Sequence, residues 1–243
     1  MHRVERAIIM AAGKGTRMQP ITLSTPKPLV KINGVPMIES VIKSLYSNGI
    51  FEIYVVVGYL KEQFGYLEDK YENLRLIENP YYDTCNNISS LYVAREHISN
   101  AIILDGDQIV YDPSILEPEF EFSGYNAIWT DDKTDEWLLT LEDGIVVGCS
   151  RTGGKEGWQL YSVSRWTSED AEKLKKHLII EFKEKENKQI YWDDIALFCY
   201  PNEYKMSIRK MNGNEIMEID SINELVQIDE SYAYALEEIS DDK

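Results

Sequence analysis

Cysteine is scarce in this sequence, and the three cysteines, Cys85, Cys149 and Cys199, fit no metal-ligand spacing. An odd, scattered set of this kind argues against a disulfide framework, so we interpret them as reduced packing residues. Basic residues are also few: 25 Lys and Arg face 42 Asp and Glu, giving a net charge of −17 at pH 7. This balance argues against nucleic acid as a partner, because an extended nucleic-acid surface must neutralise phosphates, but it leaves room for a small anion held by local cations.

Long apolar runs are absent as well. No stretch is long enough to span a bilayer, and no small-residue cleavage pattern follows the short apolar run at residues 7–12. The expectation is a cytoplasmic protein without stable membrane association. Two common phosphate-binding motifs are also missing, since a Walker loop would need glycine at Ile8 and a dinucleotide-binding fingerprint would need glycine at Met18.

The first half of the chain alternates between strand and helix patterns. Residues 7–12 and 51–59 are buried-strand runs, whereas residues 36–48 place apolar side chains at helical spacing. The later segments continue the alternation, with a helix predicted over 60–71, a strand over 74–80, a helix over 87–98 and a strand over 101–110. This rhythm predicts an α/β fold with a Rossmann-like, mostly parallel sheet flanked by helices.

The second half has a different pattern. Segments 125–132, 136–144, 145–154 and 158–166 read as antiparallel strands joined by Gly or Asp turns, followed by a helix over 167–182 that begins at a Thr167 or Ser168 cap. No linker rich in Pro, Gly and Ser separates the halves. We therefore predict one domain over residues 1–243, in which a small antiparallel lid covers the parallel sheet.

The loop after the first strand carries the most specific motif. Residues 10–39 read MAAGKGTRMQPITLSTPKPLVKINGVPMIE. This segment resembles the signature L-A-A-G-x-G-[ST]-R-x-x-P-x-T, followed by P-K-x-L, of the nucleotidyltransferases, which join an NTP to a phosphorylated small molecule and release pyrophosphate. It departs from the signature only at Met10. The resemblance implies the nucleotidyltransferase fold, with residues 1–112 mainly binding nucleotide and residues 113–243 mainly binding the acceptor.

The resemblance also assigns roles around the nucleotide. It implies that Ala11, Ala12 and Gly13 line the base and ribose, that Gly15, Thr16 and Arg17 hold the triphosphate, and that Lys27 stands against the α-phosphate. Arg17 and Lys27 are therefore the predicted catalytic residues, since phosphoryl-type transfer rests mostly on positioning and electrostatic stabilisation. Groups that can read a pyrimidine edge complete the predicted site: Gly58, Tyr59, Asn87 and Ser89. Lys14 and Lys31 are better explained as solvated cations.

Carboxylates at strand ends are the expected metal ligands. Asp105 and Asp107 stand two residues apart in LDGDQ, so they share one face if the strand continues, and Glu218 and Asp220 repeat this spacing in EIMEID. Asp107 matches the family's magnesium aspartate, and Asp220 lies where the family's second metal carboxylate lies. The resemblance thus implies Mg²⁺ held by Asp107 and Asp220, whereas Asp105 and Glu218 are equally well explained as turn or cap residues.

The acceptor side departs from the sugar-phosphate branch of the family, because neither a GTA-like segment nor a glutamate-lysine-proline segment is present. GYLKEQFGYLEDKY, NNISSLY, DEWLL and YWDDIAL instead resemble the bacterial CTP:phosphocholine cytidylyltransferases. A quaternary ammonium is held by aromatic faces and carboxylates. We therefore predict an aromatic box with an acidic counter-charge, built from Trp137, Tyr191, Trp192, Asp193, Asp194 and Glu218.

The resulting hypothesis is a magnesium-dependent enzyme that makes CDP-choline from CTP and phosphocholine, functionally coupled to a choline kinase and to the decoration of surface glycans or lipids. Three alternatives stay open. The acceptor could be another aminoalkyl phosphate or phosphonate, the enzyme could be a sugar-1-phosphate nucleotidyltransferase, or the chain could be a non-catalytic nucleotide-binding module. The presence of Arg17, Lys27 and the acids favours an enzyme.

Overall fold

The computed structural model describes residues 1–236. The strands are β1 (His2–Arg3), β2 (Arg6–Ala11), β3 (Lys31–Ile32), β4 (Val35–Pro36), β5 (Glu52–Val57), β6 (Leu74–Glu78), β7 (Ala101–Asp105), β8 (Gln108–Val110), β9 (Glu119–Phe120), β10 (Gly124–Thr130), β11 (Leu138–Glu142), β12 (Ile145–Ser150), β13 (Gly157–Trp166), β14 (Ser207–Met211) and β15 (Ile216–Glu218). The α-helices are α1 (Met37–Ser47), α2 (Tyr66–Lys70), α3 (Ile88–Ala94), α4 (Ser168–Ile179) and α5 (Ile222–Ile228).

Nine strands form one mixed sheet in the order β10-β14-β12-β11-β13-β7-β2-β5-β6. Strands β7, β2, β5 and β6 are parallel, as the alternation in the first half predicts. Strand β13 is antiparallel to β7 and extends the same sheet into the second half. The predicted nucleotidyltransferase fold is therefore confirmed, with the antiparallel strands joined edge-on to the parallel ones.

The central strand β2 is buried on both faces, which explains its continuous apolar run. Successive side chains point to opposite faces, so Ile9 packs with Ile38 and Ile42 of α1, whereas Ile8 packs with the core that contains Leu91 of α3 and Leu174 of α4. Helices thus cover both faces of the parallel strands. No helix within residues 1–236 has the length and apolar character needed to cross a bilayer.

One predicted strand is wrong in its extent. The pattern over residues 101–110 predicts a single strand, but β7 ends at Asp105 and the chain turns at Gly106 and Asp107 before β8 begins. Strand β8 leaves the main sheet and pairs antiparallel with β15 instead. The turn lies at the carboxyl ends of the parallel strands, where open α/β sheets bind their ligands.

Candidate active site

The glycine loop after β2 is shaped by its contact with Lys27. Gly15 has a left-handed backbone with φ of 62°, and a Cβ there would lie 2.8 Å from Lys27 Cβ. A side chain at this position would be strained and would collide with the buried stem of the lysine. The Thr22 hydroxyl donates to the Gly15 carbonyl at 2.8 Å and holds the loop in this conformation.

Lys27 is a buried cation between two carboxylates. It begins a short 3₁₀ segment, Lys27–Leu29, and is only 8% exposed. Its Nζ lies 2.6 Å from Asp107 Oδ2 and 2.7 Å from Asp220 Oδ1. Burial alone would lower the pKa of Lys27, but the two carboxylates outweigh it and raise the pKa above its ordinary value. The ammonium is therefore fixed and charged throughout the neutral range.

Arg17 extends this charged group toward solvent. Its Nη2 donates to the same Asp220 oxygen at 2.7 Å. The guanidinium is largely exposed, so it is free to exchange this carboxylate for a phosphate. The cavity beneath these cations has a volume of about 280 Å³ and is lined by Met10, Ala11, Gly13, Gly15, Thr16, Arg17, Lys27, Pro28, Asp107 and Asp220.

Three carboxylates converge beside this cavity. The pairing of β15 with β8 sets Glu218 opposite Gln108, so that Glu218 joins Asp105 and Asp107 at the turn. One oxygen from each of the three acids lies within 4.8 Å of the others. Burial and mutual repulsion raise the pKa values of Asp105 and Glu218 well above their ordinary range.

A hard divalent cation fits this cluster, because its donor set is entirely carboxylate oxygen and Asp107 Oδ1 is buried without a hydrogen-bond partner in the described residues. Asp107 belongs to this cluster and also pairs with Lys27, whereas Asp220 lies next to it, paired with Lys27 and Arg17. A metal held by Asp107 and Asp220 stays a prediction. Asp105 and Glu218 complete the cluster, although their spacing alone was equally consistent with turn residues.

The remaining nucleotide-binding predictions fall directly after β5 and at the beginning of α3. The Tyr59 N–H donates to the Ala12 carbonyl at 3.1 Å, which ties the end of β5 to the end of β2. Gly58 packs so closely on Tyr82 that a Cβ would lie 2.6 Å from the tyrosine Cβ. Ser89 is buried and its hydroxyl bonds within the protein, accepting from Asn79 Nδ2 and donating to the Asn86 carbonyl. A direct contact between Ser89 and a base would therefore require this network to rearrange.

A second cavity, of about 260 Å³, opens beside the first and shares Arg17 and Asp220 with it. Its lining comprises Arg17, Asn87, Asp105, Glu136, Trp137, Leu160, Ser162, Tyr191, Asp193, Glu218 and Asp220. We call it the acceptor cavity. The sequence reasoning missed Leu160 and Ser162. Their position on β13, which runs antiparallel beside β7 and its terminal Asp105, would have indicated them once the strand order was known.

Aromatic and acidic groups meet in the acceptor cavity. The rings of Trp137 and Tyr191 lie edge to face with centres 5.6 Å apart. Asp193 has a buried Oδ1 without a hydrogen-bond partner in the described residues. Burial raises the pKa of Asp193 to about 7. Ring surfaces beside a carboxylate are suited to binding a cation.

Two predicted acceptor residues lie elsewhere. Trp192 is only 4% exposed and stacks in the core, with ring centres 6.2 Å from Tyr125 and 5.9 Å from Trp166. The prediction that Trp192 belongs to the aromatic box is therefore wrong, and the two rings that line the cavity are those of Trp137 and Tyr191. The Asp194 carboxylate is also buried, where it accepts from the Tyr191 N–H and from Arg151. Asp193 alone of the two aspartates lines the cavity.

Comparisons with known proteins identify the family of this chain. The MobA-like NTP transferase domain matches residues 7–175. The chain is 39% identical to 2-aminoethylphosphonate cytidylyltransferase of Lancefieldella rimae, over 95% of this chain and 94% of that one. It is 36% identical to choline-phosphate cytidylyltransferase of Streptococcus pneumoniae, over 93% and 97%. The solved CTP:phosphocholine cytidylyltransferase from Streptococcus pneumoniae superposes with a TM-score of 0.87, covering 94% of this chain and 99% of that one at 36% identity.

Proposed function

Because the chain belongs to the family of the MobA-like NTP transferase domain and is a nucleotidyltransferase of the cytidylyltransferase group, we propose that it transfers the cytidylyl group of CTP to phosphocholine. An oxygen of the phosphocholine phosphate attacks the α-phosphorus of CTP. The bond from that phosphorus to the bridging oxygen of the β-phosphate breaks, and pyrophosphate leaves. The products are CDP-choline and pyrophosphate, with no covalent intermediate on the protein.

The cations of the nucleotide cavity support this reaction. Lys27 and Arg17 are the groups that would stabilise the negative charge on the α-phosphate and on the departing pyrophosphate. Because a phosphate monoester is already anionic at neutral pH, no dedicated general base is required, which is consistent with a site that contains no histidine. A divalent cation held by Asp105, Asp107 and Glu218 would supply further charge neutralisation for the phosphates.

The acceptor cavity is the observation that carries the choice of acceptor. Trp137 and Tyr191 offer ring faces and Asp193 offers a carboxylate. The cavity shares Arg17 and Asp220 with the nucleotide cavity, which contains Lys27 and hence the predicted α-phosphate position. A quaternary ammonium donates no N–H bond, so aromatic faces with a nearby acid are its natural binding partners. Phosphocholine carries this group on one end and the attacking phosphate on the other.

The test is pyrophosphate release with magnesium and CTP, comparing phosphocholine, phosphoethanolamine, 2-aminoethylphosphonate and glucose 1-phosphate, and then the four NTPs with the preferred acceptor. We expect CTP with phosphocholine to give the highest kcat/KM. Preference for a primary amine would reject phosphocholine but retain the cytidylyl transfer. Turnover of the sugar phosphate alone, or of no acceptor, would reject the proposed reaction.

A specific observation favours 2-aminoethylphosphonate as the second candidate. With Trp192 in the core, only two rings remain beside Asp193, and the acids Glu136 and Glu218 also line the cavity. A primary ammonium needs several hydrogen-bond acceptors, which this set supplies. Replacing Trp137 by Leu should therefore weaken the binding of phosphocholine more than that of 2-aminoethylphosphonate. Replacing Asp193 by Asn should instead weaken the binding of 2-aminoethylphosphonate more.

The chemistry of phosphocholine also indicates what must precede this enzyme. A reaction that phosphorylates choline has to supply the acceptor, so functional coupling to a choline kinase is part of the proposal. Expression of the two activities together should raise CDP-choline formation from free choline.

A further inference from the structure

Arg151 lies at the open end of the hairpin formed by β11 and β12. In that hairpin Leu138 pairs with Ser150, so Trp137 and Arg151 stand next to each other one position beyond the pair. The backbone of Trp137 is fixed on its other side, where its carbonyl accepts from the Leu160 N–H at 2.9 Å. These contacts fix the Trp137 backbone but leave its ring to be oriented by the side chains that surround it.

The guanidinium of Arg151 connects this hairpin to the segment that carries the rest of the acceptor cavity. Its Nη2 lies 2.5 Å from Asp194 Oδ1, and its Cζ lies 3.9 Å from the centre of the Phe198 ring and 5.6 Å from that of Trp137. The other Asp194 oxygen accepts from the Tyr191 N–H at 2.9 Å. The Arg151 side chain thus contacts the Trp137 ring directly. Through the Asp194 carboxylate it is also linked to the backbone of Tyr191.

Asp194 strengthens this connection because it is buried, with only 2% of its side chain exposed. A buried carboxylate is costly unless it is paired and hydrogen-bonded, and Arg151 supplies its only ion pair in the described part of the chain. The Trp137 ring is held edge-on against both Tyr191 and Phe198, with centres 5.6 and 5.5 Å apart. Arg151 lies over the Phe198 ring and is not among the residues that line the acceptor cavity.

We infer that Arg151 is a positioning residue for the acceptor: with Asp194 it holds Trp137 and Tyr191 in the mutual orientation that binds the acceptor's cationic head group. The inference rests on the proposed function only in taking this cavity as the acceptor site. Arg151 itself lies outside the linings of both the nucleotide cavity and the acceptor cavity. Its planar guanidinium pairs with a carboxylate and lies against aromatic rings at the same time, which a lysine ammonium cannot reproduce.

The experiment compares wild type with R151A and R151K, using whichever acceptor the wild type turns over. We expect R151A to raise the acceptor KM roughly tenfold, with kcat and the KM for CTP changed less than about twofold. R151K should recover only part of the loss, because it keeps the charge but loses the flat contact with Phe198. Lys155→Ala is the matched control, since Lys155 is an exposed cation on the same connection after β12. An unchanged acceptor KM, or an equal rise in the KM for CTP, would overturn the inference.

A second readout does not depend on turnover. The fluorescence of Trp137, taken as the difference between each protein and its W137F counterpart, should shift in wavelength and lose anisotropy in R151A but not in Lys155→Ala. Unchanged Trp137 emission in folded R151A would overturn the inference even if the wild type released pyrophosphate with one of the acceptors. If the wild type turns over none of the acceptors, the proposed function is rejected, and the Trp137 emission alone decides the role of Arg151.

Discussion

Lys27 is the side chain on which the charge balance of the nucleotide cavity depends. It is buried and ion-paired with both Asp107 and Asp220, so its ammonium is held in place before any nucleotide arrives. A preorganised cation costs little reorganisation when charge develops on the phosphates, and removing one such group typically costs about 100- to 1000-fold in kcat. The removal also leaves two carboxylates near each other without the cation that separates them.

We therefore expect Lys27→Ala to lower kcat for pyrophosphate release by at least about 100-fold while the far-UV circular dichroism stays unchanged. Lys31→Ala is the control, because Lys31 is an exposed lysine at the start of the nearby strand β3 and should retain near-wild-type turnover. Turnover of Lys27→Ala at the wild-type rate would show that the proposed mechanism is wrong.

Individual residues differ in how far the sequence could identify them. Arg17 and Lys27 belong to one contiguous motif, and the structure places both at one cavity with Asp107 and Asp220, although their roles stay predictions. The inclusion of Asp105 and Glu218 depends on the pairing of β15 with β8, which no local pattern specifies. Trp192 was assigned wrongly because an aromatic residue beside an acid looks the same whether it faces a cavity or the core.

At the scale of elements, most strands and helices follow from apolar periodicity. The helix predicted over residues 36–48 is α1, Met37–Ser47, and the predicted cap of the later helix proves to be Thr167, whose hydroxyl accepts from the Asp170 N–H. The break between β7 and β8 escaped prediction because the whole segment is apolar up to its acids. The strand ends at Asp105 because residues 101–105 pair with β2, whereas residues 108–110 pair with β15.

The contact between α1 and α2 gives a prediction about pH. Glu39 of α1 is 4% exposed and accepts hydrogen bonds from Lys70 at 2.6 Å, Tyr71 at 2.9 Å and Tyr66 at 3.2 Å. Burial alone would raise the pKa of Glu39, but these donors outweigh it and hold the pKa below its ordinary value. The ionised carboxylate therefore stabilises the fold at neutral pH, and this stabilisation is lost as the pH falls below about 4.5 through the lowered pKa.

Glu39→Gln should accordingly reduce the free energy of unfolding at pH 7 by about 1–3 kcal/mol, as expected for a buried hydrogen-bonded group whose partners are left unsatisfied. The difference from wild type should shrink at pH 3.5, because a Glu39 carboxyl with its ordinary pKa of 4.5 is then mostly protonated in the unfolded chain. Urea unfolding at pH 7 and pH 3.5 measures this difference in the free energy of unfolding. Glu62→Gln is the control, because Glu62 is exposed. A difference that does not depend on pH would mean that the charge of Glu39 contributes nothing.

For the whole molecule, the decisive feature is that a strongly acidic chain concentrates opposite charges at one edge of its sheet. The net charge is −17, yet Arg17 and Lys27 line a cavity directly beside the cluster of Asp105, Asp107 and Glu218. The cations alone attract a triphosphate, but the adjacent acids repel it. A divalent cation on the cluster would remove this repulsion, so under the proposed function nucleotide binding and metal binding should stabilise the fold together.

This coupling can be measured through thermal unfolding. A ligand that binds only the folded state at 100 times its Kd adds about 2.7 kcal/mol. For a chain of this size that corresponds to a rise in Tm of about 5–10 °C. We expect CTP with Mg²⁺ to give a rise of this order, EDTA to remove most of it, and Asp107→Asn to reduce it. EDTA without nucleotide should leave Tm unchanged, because Lys27 already offsets part of the acidic charge. An equal rise with CTP in EDTA would mean that nucleotide binds without the metal and that the three acids serve another purpose.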